Sequence, residues 1–468
     1  MKHALLAFGV FWSALGSLRA QAIRFEKDSL SQVFAKARQQ NKPVFLLLSP
    51  PPTPANLPAA IKAERNKSGL SAPAVADKLN QAFLNKELAF GTAEMGAAAR
   101  RYNVTSYPSY LYFSPDGSLL YRRFGNTSNV EQYLKDVAAA QQAQQDPQNL
   151  SSLAAEFKGG NRDPELLKRY VLKCRDLHLP VEPAVLNAYA QQLPAKAFYQ
   201  PTEVLFILES GPVVGSQAYQ LTHLNQQLID SLYRVLPLPQ RMAINGLIIK
   251  NTMAQATAAK DRSLAEKGAN FARSTWNNDY ARGGRTYERN MLAFYQSIKD
   301  TTAYLRQAVP YYERYYLNLP ADSVKKALVA LQAFRQRQPA LLQRLDSAAR
   351  QRARGPRPEA VARTVQYITV SGPPASFLQE LNNGAWVIYQ TGTRNKNYLT
   401  HAITWSKRTV DLDPTAYNND TLAHLLYQLG FFAEAEAREQ RAVELARQEK
   451  VAASSYQQAL EKMRKRTL

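Results

Sequence analysis

Val44 to Leu48 is an unbroken apolar run, with Lys42-Pro43 before it and the proline-rich segment Pro50 to Pro58 after it. Proline has no amide hydrogen and its ring clashes with the preceding helical turn, so neither flank can carry a helix through the run. Five apolar residues between such stops suit a strand buried on both faces, and that strand needs helices to cover it. The neighbouring sequence supplies them. Asp28-Ser29 can N-cap a helix with the apolar face Leu30, Val33, Phe34 and Ala37. Ala72 to Phe83 carries the stripe Val75, Leu79, Ala82 and Phe83. Leu88 to Phe90 reads as a short strand and Glu94 to Tyr102 as another helix. Tyr107 to Phe113, the turn signal Pro115-Asp116-Gly117 and Leu119 to Phe124 predict a hairpin. Val130 to Ala140 closes the domain as a helix with Val130, Tyr133, Leu134 and Val137 facing inward.

Four segments then fall into a known order: Asn41-Lys42-Pro43-Val44-Phe45, Leu79-Asn80-Gln81-Ala82-Phe83, Tyr102-Asn103-Val104-Thr105-Ser106-Tyr107-Pro108-Ser109, and Asp116-Gly117 through Gly125. In order and approximate spacing this stretch resembles a thioredoxin-family domain, with Val-x-x-Tyr-Pro-Ser as its most specific motif. The resemblance implies an α/β thioredoxin-like fold for residues 23–142. It also implies a cis bond at Tyr107-Pro108, and a loop at Tyr107, Pro108 and Ser109 that pairs with an extended peptide by strand addition. The family's Trp-Cys-x-x-Cys segment is absent. Its place is taken by Ser49-Pro50-Pro51-Pro52-Thr53-Pro54-Ala55-Asn56, and the single cysteine of the chain is Cys174. A dithiol reaction needs two sulfurs able to close a bond of about 2 Å, so the family's redox activity does not carry over. Pro51, Pro52, Thr53, Pro54, Ala55 and Asn56 mark the degenerate redox position. They form either a stiff, extended recognition surface or a loop that keeps the fold without a role of its own.

Residues 1–22 have the pattern of a secretory signal: Lys2, the apolar stretch Ala4 to Leu15, and an Ala20-Gln21-Ala22 cleavage site. The mature chain is expected to be exported, periplasmic or extracellular in a bacterium, and to lack a transmembrane segment, since no later stretch reaches about 20 apolar residues. In an oxidising compartment one cysteine excludes an internal disulfide. Cys174 falls on the helical face Leu167, Tyr170, Val171, Cys174 and Leu177, where a buried small apolar side chain is the simplest role. The rival roles are an intermolecular disulfide and thiol–disulfide exchange through this lone thiol. The formal net charge is +22, concentrated at Arg335 to Arg363 and Lys462 to Arg466. Such a balance favours anionic envelope components, or simply well-solvated basic helix faces; no nucleic-acid motif accompanies it.

After the Gln/Ala stretch Gln141 to Gln148 the pattern is helical. An α-helical domain is expected over residues 143–378 and tetratricopeptide-like repeats over residues 379–468. Asp163-Pro164-Glu165 is a clear helix start. Further helices are expected at Pro183–Leu193, Glu203–Leu208, Gln217–Leu236, Met242–Asn270, Tyr287–Tyr316 and Asp322–Arg352, with breaks at Gly355-Pro356-Arg357-Pro358 and Gly372-Pro373-Pro374. Ala402 and Ala435, Thr409 and Ala442, and Leu412 and Leu445 are each 33 residues apart. That period, with small residues that let paired helices pack closely, resembles a tetratricopeptide unit. Tyr311-Tyr312-Glu313-Arg314-Tyr315-Tyr316 sets two tyrosine pairs at i, i+4 spacing, suited to packing between helices or to a binding hot spot. His3, His178, His223, His401 and His424 show no metal-ligand spacing, and no phosphate-binding loop or catalytic carboxylate pair stands out, so no metal and no cofactor is expected. The sequence therefore predicts a non-catalytic protein with polypeptide partners, in a chaperone-like or scaffold role.

Overall fold

The computed structural model describes residues 22–53, 57–354, 377–449 and 451–468. The signal segment, Pro54, Ala55 and Asn56, and the two Gly/Pro breaks lie outside them, apart from Ala22. The described residues divide into two compact units. One holds 22–52 and 65–151; the other holds 53, 57–64, 152–354, 377–449 and 451–468.

The first unit is built on a small mixed sheet. Its elements are α1 (Leu30–Gln40), β1 (Val44–Leu48), the end of α2 (Ala59–Asn66), α3 (Pro73–Ala82), β2 (Leu84–Leu88), α4 (Ala93–Arg101), β3 (Ser109–Phe113), β4 (Leu119–Phe124) and α5 (Val130–Gln145). Ser29 and Gln32 close a reciprocal capping box at the start of α1, and Asn41, in the left-handed region, ends it just ahead of Pro43. The strand order is β2-β1-β3-β4, with β1 and β2 parallel and the other pairs antiparallel. All five residues of β1 are buried. Phe45 and Leu47 pack with Val75, Leu79, Phe83, Tyr110, Tyr112, Tyr133 and Val137 in one core.

β2 occupies Leu84–Leu88, where the sequence pattern placed a strand at Leu88 to Phe90. The pattern failed because the strand's buried middle is polar. Lys86 is buried, and its ammonium donates to the Glu26 and Asp28 carbonyls. Asn85 bridges to Phe25 and Asn80. Behind β4, fully buried Asp136 accepts from the Tyr121 hydroxyl and from Gln132 Nε2, each at 3.0 Å, and pairs with Arg123 Nε. The Arg123 guanidinium lies 4.6 Å from the Tyr110 ring centre and 4.5 Å from that of Tyr133.

The second unit is helical. From residue 152 it runs through the rest of α6 (Leu150–Lys158), then α7 (Pro164–Asp176), α8 (Pro183–Gln192), α9 (Pro201–Glu209), α10 (Gln217–Thr222), α11 (Gln226–Val235), α12 (Leu238–Ala259) and α13 (Arg262–Ser274). It continues with α14 (Tyr280–Ser297), α15 (Thr301–Tyr312), a π-type turn at Glu313–Leu317 and α16 (Ala321–Arg354). The last part comprises α17 (Phe377–Gln390), α18 (Lys396–Leu412), α19 (Ala416–Gln428), α20 (Phe432–Gln448) and α21 (Ser454–Arg464).

Three stretches expected as single helices are each broken in two. Asn225, Asp261 and Asp300 accept the amides of Leu228, Leu264 and Ala303, starting α11, α13 and α15. Lys260 and Lys299 take left-handed backbone just before two of these caps. A side-chain acceptor for the orphan amides makes a fresh start affordable inside an otherwise periodic sequence. One apolar core runs from Ala256 and Ala265 through Met291, Tyr304 and Tyr311 to Phe377, Leu381, Trp405 and Leu425. Among the described residues no helix is long and apolar enough to cross a membrane.

Candidate functional site

The register sets Leu48 of β1 opposite Ser109 of β3. The chain therefore leaves β1 into Ser49-Pro50 beside the point where Tyr107-Pro108 enters β3. The Tyr107–Pro108 peptide bond is cis. Pro108 is buried, and its carbonyl accepts from Gly125 N at 3.0 Å. Ser109 is fully buried, and its hydroxyl donates to the Ser106 carbonyl at 2.5 Å. Tyr107 differs from both. Its side chain is half-buried, with the ring edge-on to Phe90 at 5.5 Å, and Phe90 is 44% exposed. Among the described residues no hydrogen bond takes the Tyr107 N–H or carbonyl. Across from it, Ser49 N donates to the Leu88 carbonyl and the Ser49 hydroxyl to Glu87. The Pro51 carbonyl accepts from Arg65 at 3.2 Å, and Pro52 is exposed. The site thus offers an unpaired backbone N–H and carbonyl at Tyr107, two aromatic faces and a stiff proline segment, and no sulfur.

Cys174 lies in the second unit. It is buried on α7 beside Leu167, Tyr170 and Val171. Burial, with the Glu182 carboxylate as the smaller cause, pushes its thiol up to about 12, so almost none of it is thiolate near neutrality. The tyrosine cluster is a packing device. Tyr311 meets Tyr315 at 5.3 Å and Tyr312 meets Tyr316 at 5.9 Å, the expected i, i+4 pairs. Tyr312 also packs on Trp405 at 5.0 Å, and the Arg285 guanidinium donates to the Tyr316 hydroxyl at 2.7 Å. The widened turn after Pro310 brings Tyr316 within 3.3 Å of Tyr311, hydroxyl to hydroxyl, an i, i+5 contact that a regular helix does not make.

The sequence reading passed over one cluster. Asp420 and His424 stand one turn apart on α19, and Glu439 faces them from α20. The i, i+4 spacing of the first two was legible. The third member comes from the next helix, 15 residues on, and only the hairpin brings it in. Burial, then the nearby Asp420 carboxylate, push the Glu439 carboxyl up to about 9. Burial also raises Asp420, against the opposing pull of His424.

No family model matches the sequence, and no curated protein matches it. Among solved structures the chain is similar to a DsbH oxidoreductase, at 15% identity and a TM-score of 0.23. The match covers 29% of this chain and 95% of that one.

Proposed function

We propose that this is a non-catalytic binding protein of the bacterial cell envelope, a thioredoxin-like unit without its dithiol joined to a helical, tetratricopeptide-like region. Both parts hold polypeptide partners in a chaperone-like or scaffold role. The observation that carries this reading is the Tyr107 backbone. Its N–H and carbonyl have no partner among the described residues, and they sit beside the half-exposed Tyr107 ring and the exposed Phe90. An extended segment can add main-chain hydrogen bonds there while its side chains rest on the two rings, and neither contact needs a thiol. The buried, weakly acidic Cys174 argues against thiol exchange as the alternative.

The test is fluorescence anisotropy with a labelled, permanently unfolded polypeptide, such as a reduced and carboxymethylated one. Phe90→Ala with Tyr107→Ala should weaken binding at least ~10-fold, the effect of losing about 1.4 kcal/mol of contact. Equal binding by this variant, or insulin disulfide reduction by the purified protein, would reject the proposal.

A further inference from the structure

We propose that Asp420, His424 and Glu439 form a binding site for one divalent transition-metal cation of the Zn²⁺ class, held between α19 and α20.

The geometry suits such an ion. One ligand atom from each residue lies within 4.8 Å of the other two. His424 Nδ1 is 3.4 Å from Asp420 Oδ1. The edge of a tetrahedron with metal–ligand bonds of about 2.1 Å is about 3.4 Å, so this pair already has coordination spacing. Glu439 has to close by at most about 1.4 Å, within reach of a side chain with three rotatable bonds. Nδ1 also lies 2.9 Å from the Asp420 carbonyl, a contact it would give up on binding a cation. The His424 ring is held edge-on by Trp386 at 5.2 Å and Tyr389 at 5.1 Å, which fixes its direction before any ligand arrives. Ala423 and Ala435 are both fully buried, and their small side chains let α19 and α20 approach closely.

A second observation concerns the hydrogen bonding of the cluster. Glu439 has no solvent exposure, and neither of its oxygens meets a donor. Among the described residues no Arg or Lys pairs with Glu439 or Asp420. A carboxyl buried this way either keeps its proton or, once charged, is paired or bound to a metal. Two carboxylates and a neutral imidazole balance a 2+ charge, and a set of one nitrogen and two oxygens favours a transition cation over Mg²⁺ or Ca²⁺. Three protein ligands leave a fourth position for water.

Isothermal titration of the full chain, stripped with EDTA, with ZnCl₂ tests this. Wild type should bind one equivalent and melt at a higher temperature when loaded. Glu439→Gln, which keeps shape and loses charge, should bind at least ~10-fold more weakly. Asp420→Asn, nearer the surface, should do the same and serves if the buried variant misfolds. A wild type that takes up no stoichiometric Zn²⁺, or uptake unchanged in both variants, would overturn the proposal. So would a Glu439→Gln chain that gains stability while wild type binds nothing, since the two carboxyls would then simply share a proton.

Discussion

Gly384 gives the sharpest quantitative test of the packing. It lies inside α17, and a Cβ built on it would come within 2.6 Å of both Cε1 and Cζ of Tyr312. Carbon atoms in contact prefer about 3.5–4.0 Å, so the ring would have to retreat by about 1 Å. It has little room to do so, with Trp405 at 5.0 Å and Tyr311 at 5.1 Å between ring centres. Overpacking of this kind costs roughly 1–3 kcal/mol. Replacing a mid-helix glycine by alanine returns up to about 1 kcal/mol. The net expectation for Gly384→Ala is a loss of about 1–2 kcal/mol, a fall in melting temperature of roughly 2–8 °C. Gly246, inside α12, has nothing within 4 Å of its built Cβ, so Gly246→Ala isolates the helix gain and should stabilise by about 0.5–1 kcal/mol. Thermal unfolding followed by near-UV circular dichroism reads both, and also reports the aromatic cluster directly. Pairing Gly384→Ala with Tyr312→Leu should erase the penalty, as a double-mutant cycle of touching residues requires. A Gly384→Ala protein that melts as high as the Gly246→Ala protein would refute the account of this junction.

Three further outcomes follow from buried and exposed charge. Asp136→Ala strands the Arg123 guanidinium in the first unit and should cost about 3–5 kcal/mol in denaturant melts; a loss under about 1 kcal/mol would show the pair to be solvated. Arg335→Ala removes a two-pronged pair with Asp413 (2.8 Å on each side) that is solvent-exposed on its arginine side, and should cost under about 1 kcal/mol and less still in high salt. Because Cys174 is held up to about 12 when folded, its thiol favours the folded state fully below the unfolded value near 9 and loses that contribution as pH rises toward 12. Cys174→Ala should therefore flatten the alkaline decline in stability, and native Cys174 should resist a thiol reagent at pH 8 until the protein is unfolded; ready labelling of the native chain would contradict its burial.

Legibility in the sequence followed the physics of each signal. β1 was plain because apolar residues filled it and prolines fenced it. β2 was hidden because Asn85 and Lys86 are buried by satisfying them with backbone carbonyls and side chains distant in sequence, a tertiary effect with no local trace. The long helical stretches showed their period, yet their breaks depended on single Asp and Asn caps that also occur on any solvated face. The proline segment and the Tyr107 loop could be picked out as motifs, but the unpaired N–H and carbonyl of Tyr107 are a matter of which neighbours were used elsewhere. Asp420 and His424 carried the right spacing for a shared face. Glu439 is an ordinary helix residue in sequence, and its isolation from donors exists only once α20 folds back on α19.

The core that runs unbroken from Ala256 to Leu425 bears on where the chain can be cut. The Tyr312 ring fills the notch at Gly384, and Trp405 of α18 rests on the same ring. A fragment beginning at residue 379 would keep the 33-residue period but lose the aromatic wall its first two helices lean on. It would expose Ala385, Ile388 and Trp405, all fully buried here, and should aggregate or pair with itself. The 33-residue spacing and the packed core therefore divide this chain at different places, and the core reaches well upstream of the spacing.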